Sequence, residues 1–193
     1  MQIKISTAFY LLLTALTLQG CAAAIIGGAA ATASIVHDRR TTGAIVEDQS
    51  IELKTYDLLK KDTQFEKQSN IHVTSYNMVV LLTGQASNDN LRRKAEQMAM
   101  GVEKVRRVVN EIEIGSTSSI GEDSRDVAIT SEVKIKLAGI DIPDFDPLRV
   151  KVVTERGTVF LLGLITKKEG DAVTDVVRHI SGVRRVVRVF EYI

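Results

Sequence analysis

Ile129, Val133 and Leu137 recur at the four-residue interval that lines one face of a helix, and Gly139 stands where such a helix can end. Two runs rich in β-branched residues follow, "LRVKVVTE" and "TVFLLGLIT". They flank Arg156-Gly157, a dipeptide suited to a tight hairpin turn. From Glu169 to Ile180 the period returns to that of a helix, with Val173, Val176, Val177 and Ile180 on one side. The closing "VRRVVRVFEYI" reads as a third strand. The pattern predicts helix, strand, strand, helix, strand: an α+β unit with two helices on a three-stranded mixed sheet.

The same pattern occurs once before. Val105 aligns with Val183, so "VRRVV" falls on "VRRVV", and Ala95, Ala99 and Val102 fall on Val173, Val177 and Ile180. With a shift of one residue, "IHVTSYNMVVLLTGQ" lies on "VKVVTERGTVFLLGL", pairing Gly84 with Gly163. Ile51 and Leu59 align with Ile129 and Leu137. This is a domain duplication, with copies at 47–115 and 124–193 and a polar linker at 116–123. A glycine at the same place in both copies predicts a close backbone approach or a positive φ.

The N-terminus follows neither pattern. Residues 1–20 read as a secretory signal: Lys4, then the apolar run Ala8 to Leu18, too short to span a bilayer. "LQGC" places Cys21, the single cysteine, at the end of that run. This resembles a bacterial lipobox, which implies lipidation of Cys21, cleavage before it and acylation of the new amino group. Ala22 in the next position, rather than Asp, implies sorting to the outer membrane. Residues 21–46 read as a lipidated N-terminus and tether, either lying along the membrane or serving as a plain linker.

Two stretches in each copy carry a family resemblance. "VFLLGLITKKE" with "ISGVRRVVRVF" in copy two, and "VVLLTGQASN" with "VEKVRRVVNEI" in copy one, resemble the BON domain. Copy one departs from it at Glu103-Lys104, where copy two has Ser181-Gly182. A lipobox followed by two BON domains resembles the dual-BON outer-membrane lipoproteins. That resemblance implies a non-enzymatic, lipid-anchored protein with its domains on the periplasmic side. It implies binding of anionic phospholipid membranes by the first helix of the second domain. It also implies support of outer-membrane integrity, with enrichment at the division site. An alternative is an adaptor that docks envelope or outer-membrane-assembly proteins.

The first helix of copy two gives that implication a location. Opposite its core stripe stand Val127, Ala128, Ser131, Ile135 and Ala138, flanked by Lys134. A helix apolar on two sides suits a membrane interface, and packing against copy one is the competing explanation. The matching face of copy one, Gln49, Ser50, Leu53, Asp57 and Lys60, is polar. Copy one carries 10 basic and 11 acidic residues and copy two 12 and 10, so copy two is the better match for an acidic surface. Arg106, Arg107, Arg184 and Arg185 are either solvated and ion-paired or collectors of anionic headgroups.

Composition narrows the rest. A net charge of +1 and the absence of tryptophan argue against nucleic acid as a partner. No nucleophile, phosphate-loop or zinc-protease motif occurs, so no catalytic residue and no cofactor is assigned. His37, His72 and His179 have no ligand spacing around them, and Asp141, Asp144 and Asp146 do not fit a calcium loop. No metal site is assigned.

Overall fold

The computed structural model describes residues 38–116 and 120–193. The segment read as a signal peptide, Cys21 and most of the segment read as tether lie outside them. Arg39–Ile193 forms one compact unit.

Helix α1 spans Thr42–Lys61 and buries Asp48, Ile51, Thr55 and Leu59. It begins inside the stretch read as tether, because Thr41 caps it, accepting a hydrogen bond from Ala44 N at 3.1 Å. A short helix α2, Thr63–Gln68, follows after the single extended residue Asp62, whose side chain caps it, and plugs Phe65 into the core. Strands β1 (Ser69–Tyr76) and β2 (Val79–Ala86) form an antiparallel hairpin. Helix α3 (Asp89–Met100) crosses over to β3 (Arg107–Asn110), which runs parallel to β2. The third strand is interrupted: a second piece, β4 (Glu113–Ile114), resumes the parallel pairing with β2. Asn110 Oδ1 accepts a hydrogen bond from Ile112 N at 3.2 Å in the gap.

The second copy repeats this. Helix α4 (Ile120–Leu137) starts inside the 116–123 segment read as linker, and Glu122 and Asp123 in its first turn suit the positive end of the helix dipole. A 3-10 turn (Pro147–Arg149) leads to β5 (Val150–Glu155), β6 (Thr158–Ile165), α5 (Lys167–Val177) and β7 (Arg185–Tyr192). The sheet order is β5-β6-β7, with β6 and β7 parallel. Each copy is α+β, with its helices packed on a mixed sheet.

The central strands explain why two apolar runs do not alternate. On β2, Val80 and Leu82 face the helices of copy one, while Val79 and Leu81 face the other sheet. On β6, Val159 and Leu161 face α4 and α5, while Phe160 and Leu162 face copy one. A strand buried on both faces reads as a continuous apolar run. The two sheets therefore share a third core of Tyr76, Val79, Leu81, Phe160, Leu162 and Val189, giving helix, sheet, sheet and helix layers. Each such side chain contributes roughly 1.5–3 kcal/mol on burial.

Polar contacts line the seam. Arg185 pairs with Glu111 at 2.6 Å, Lys151 with Glu52 at 2.9 Å, and Arg106 with Glu191. Asn77 donates to Glu191 at 2.7 Å and Gln85 to Glu155 at 2.5 Å. Ahead of α1, Arg39 grips Glu169 of copy two with two bonds of 2.7 and 3.0 Å, and Arg40 lies over the Tyr76 ring at 3.8 Å. Burial would raise the Glu169 carboxyl, but hydrogen bonds from Arg39 and Thr166 outweigh it and hold it below the ordinary glutamate value. A depressed carboxylate stabilises the fold above the ordinary carboxylate range, and that contribution is lost as pH falls through its folded value.

Two aspartates secure the hairpins. Asp48, buried in α1, accepts from Asn77 N at 2.7 Å, Met78 N at 2.6 Å and Ser75 Oγ at 2.7 Å. Asp126, its counterpart in α4, accepts from Arg156 N at 2.6 Å and Gly157 N at 2.8 Å. Both turns place two successive residues at positive φ, Asn77-Met78 and Arg156-Gly157, which turns these N–H groups toward the helix. Asp48→Ala removes the acceptor of these three donors and the partner of Arg40, which pairs with it at 2.7 Å, at about 1–3 kcal/mol for each group left buried and unsatisfied. We expect a loss of about 3 kcal/mol, read as a fall of roughly 6–12 °C in melting temperature by circular dichroism.

Candidate functional site

The helix face singled out from the sequence is open to solvent. Ile129, Val133 and Leu137 are buried in the second core. On the opposite side Val127, Ala128, Ser131, Lys134, Ile135 and Ala138 are all exposed, Val127 at 67% and Ile135 at 71%. The contact between the copies runs through the sheets, so it does not cover this face. Ser131 Oγ donates to Val127 O at 2.9 Å, turning its hydroxyl back onto the helix backbone and leaving the face apolar. Lys134 makes no ion pair among the described residues. On one flank, Val127, Ser131 and Lys134 border a polar cleft of ≈ 510 Å³ whose far wall is Asn70 and His72 of β1.

The matching face of copy one is less polar than its sequence suggests. Leu53 is 62% exposed, and Val46 and Tyr56 are exposed beside it. Lys60 Nζ lies 5.6 Å from the Tyr56 ring centroid. Val46 falls in the segment the sequence reads as tether, and Tyr56 stands off the centre of the stripe. Asp57 remains the difference at the centre of the face: its counterpart in α4 is Ile135, and the acid of that side, Asp123, stands a turn before Val127.

The repeated arginines divide. Arg106 and Arg185 are committed to ion pairs across the seam. Arg107 and Arg184 are exposed and make none among the described residues. Within "DIPDFDP", the Asp146 carboxylate caps the 3-10 turn through Leu148 N at 2.8 Å, and the Asp144 backbone carbonyl accepts from Arg149 at 2.5 Å. His72 and His179 are exposed and lie in different copies, while His37 is outside the described residues. No described helix is long and apolar enough to cross a membrane.

Two successive α+β units, a shared sheet-to-sheet core and an exposed apolar helix face define a class that the comparisons identify: the chain belongs to the BON-domain family, whose model matches residues 47–116 and 125–193. It is 38% identical over 179 residues to the outer membrane lipoprotein DolP of Haemophilus influenzae, covering 91% of this chain and 90% of that protein. It is 36% identical to the 21 kDa hemolysin of Actinobacillus pleuropneumoniae, covering 81% and 79% of the two chains. It is 30% identical to osmotically-inducible protein Y of Escherichia coli, covering 75% and 72%.

Proposed function

We propose that this chain is a non-enzymatic outer-membrane lipoprotein, anchored through Cys21 with its domains on the periplasmic side. Its second BON domain binds anionic phospholipid through Val127, Ala128, Ser131, Lys134, Ile135 and Ala138, and it supports outer-membrane integrity at the division site. The observation that carries the reading is the exposure of Val127 and Ile135 on a helix whose other face is already buried. The likeness to an outer membrane lipoprotein supports the location. A lipid anchor also makes weak contacts effective, because tethering replaces affinity with local concentration.

The chain from Asp38 onward, without its anchor, should sediment with vesicles containing phosphatidylglycerol and less with phosphatidylcholine alone. Ile135→Glu should abolish this sedimentation with a change in melting temperature under about 2 °C, since the residue is outside the core. Lys134→Glu and raised salt should weaken it, because exposed charges are screened beyond about 8 Å at physiological ionic strength. Leu53→Glu should leave it unchanged. Equal loss from Leu53→Glu assigns binding to both helices, and no lipid-dependent sedimentation of the unaltered chain overturns the reading.

The exposed Val46, Leu53 and Tyr56 on α1 favour a second reading, an adaptor that docks envelope or outer-membrane-assembly proteins. In that case vesicle binding is absent from the start. For the anchor, Cys21→Ser should yield a protein that no longer fractionates with the outer membrane; unchanged fractionation removes the lipoprotein assignment.

A further inference from the structure

The duplication supplies an internal control for one corner of the fold, where the start of the long helix, the hairpin turn and the entry to the last strand meet. In copy one that corner is closed. Lys104 Nζ donates to Glu47 Oε2 at 2.6 Å, and Met78 packs partly buried against the core. In copy two the corresponding residues all differ. Arg125 stands where Glu47 stands, Gly182 where Lys104 stands, Gly157 where Met78 stands and Arg156 where Asn77 stands. The correspondence is structural as well as sequential. Asp48 and Asp126 hold the same turn, and Lys104 and Gly182 share a positive φ of 67° and 87°.

The result is an open cleft of ≈ 310 Å³ bordered by Arg125, Arg156, Arg184, Gly157, Gly182 and Val183. Two carboxylates also reach it, and both are engaged. Asp126 accepts from the turn N–H groups, and Glu122 stands 3.9 Å from Arg156 Nε. The Arg156 Nη atoms are committed to Glu113 at 3.4 Å and Ser116 O at 2.8 Å. The side chains of Arg125 and Arg184 are exposed and make no hydrogen bond or ion pair among the described residues, while Arg184 N donates to Gly157 O at 2.8 Å. Where copy one supplies its own anion and cation, copy two has removed both side chains that fill the space and reversed the remaining charge.

We propose that this cleft binds a phosphate group, held between the guanidinium groups of Arg125 and Arg184 with Arg156 adding positive charge behind them. Planar guanidinium forks match phosphate oxygens and remain charged at every physiological pH. Arg125 lies two residues, about 200° around the helix, from Val127. The site therefore faces away from the proposed lipid-contacting stripe and does not rest on that reading. The phosphate comes either from solution or from a phospholipid headgroup.

The test uses the full chain, isotope-labelled, in neutral detergent micelles. Inorganic phosphate is titrated at constant ionic strength with chloride as compensating ion. Saturable amide shifts are expected at Gly157, Gly182, Val183 and Arg184, and none at Met78 and Lys104. A second arm presents nanodiscs of phosphatidylglycerol or phosphatidylcholine without free phosphate. Shifts at the same residues in the phosphatidylglycerol arm alone assign the phosphate to a headgroup, and shifts with inorganic phosphate assign it to solution. Arg125→Glu places at this corner the acid that copy one carries, at an exposed helix position and without touching Gly182. It should keep the melting temperature and weaken binding by about tenfold or more, as loss of a charge-assisted contact does. Arg184→Gln, which leaves the backbone untouched, should weaken binding similarly. The proposal is overturned if neither arm gives saturable shifts, if chloride alone reproduces them, or if the folded variants bind as the unaltered chain does.

Discussion

Gly84→Val should unfold the first domain or lower the melting temperature by at least about 8–16 °C, corresponding to roughly 4 kcal/mol in a chain of this size. A Cβ on Gly84 would lie 2.0 Å from Asn70 O, a backbone atom of the neighbouring strand that no side-chain rotation can move. The residue also sits at φ +98°, which a β-branched side chain rarely adopts. Gly163 is the milder case. Its Cβ would meet Arg149 O at 2.7 Å without positive φ, so Gly163→Val should cost about 1–3 kcal/mol. Thermal unfolding of both variants checks the order. Equal melting temperatures would show that the hairpin yields to relieve the clash.

Phe160→Ala should lower stability by about 3–5 kcal/mol, the usual cost of truncating a fully buried phenylalanine. Phe160 is 1% exposed, yet it belongs to neither helix-facing core. It fills the layer between the sheets, opposite strands of the other copy. Its removal should also loosen the copies from one another, so cleavage by a glutamate-specific protease after Glu113 or Glu122, on either side of the connection, should accelerate under native conditions. Val159→Ala, one residue away but facing α4 and α5, should destabilise without that effect on the linker. If both substitutions change cleavage alike, the sheet-to-sheet layer has no separate role in holding the copies together.

The duplication, its element order and the two helix faces were legible because each rests on local periodicity. Ile129, Val133 and Leu137 announce one helix face and Val127 and Ile135 the other, whatever lies beyond. The sheet-to-sheet core was not legible. "TVFLLGLI" says that a strand is buried on both sides, but not what lies on the second side. The helix starts at Thr42 and Ile120 were missed because their signals, a single capping threonine and a pair of first-turn acids, are short. Asp48 and Asp126 were available: they occupy matching positions in the aligned copies, and a repeated acid on a core-facing helix has a polar partner to satisfy. Arg39 left no such trace, since its partner Glu169 is remote in the chain.

The layer between the sheets also bears on how the chain is made. A polypeptide emerges N-terminus first, from the ribosome or across a membrane. Strand β2 lies roughly 80 residues ahead of β6, so copy one holds Tyr76, Val79 and Leu81 uncovered until the second copy follows it. During that interval its sheet is an apolar surface that another nascent copy can cover as well as its own second half can. The short connection between the copies makes the intramolecular partner the nearer one once it arrives, and until then this half is the aggregation-prone species of the pair.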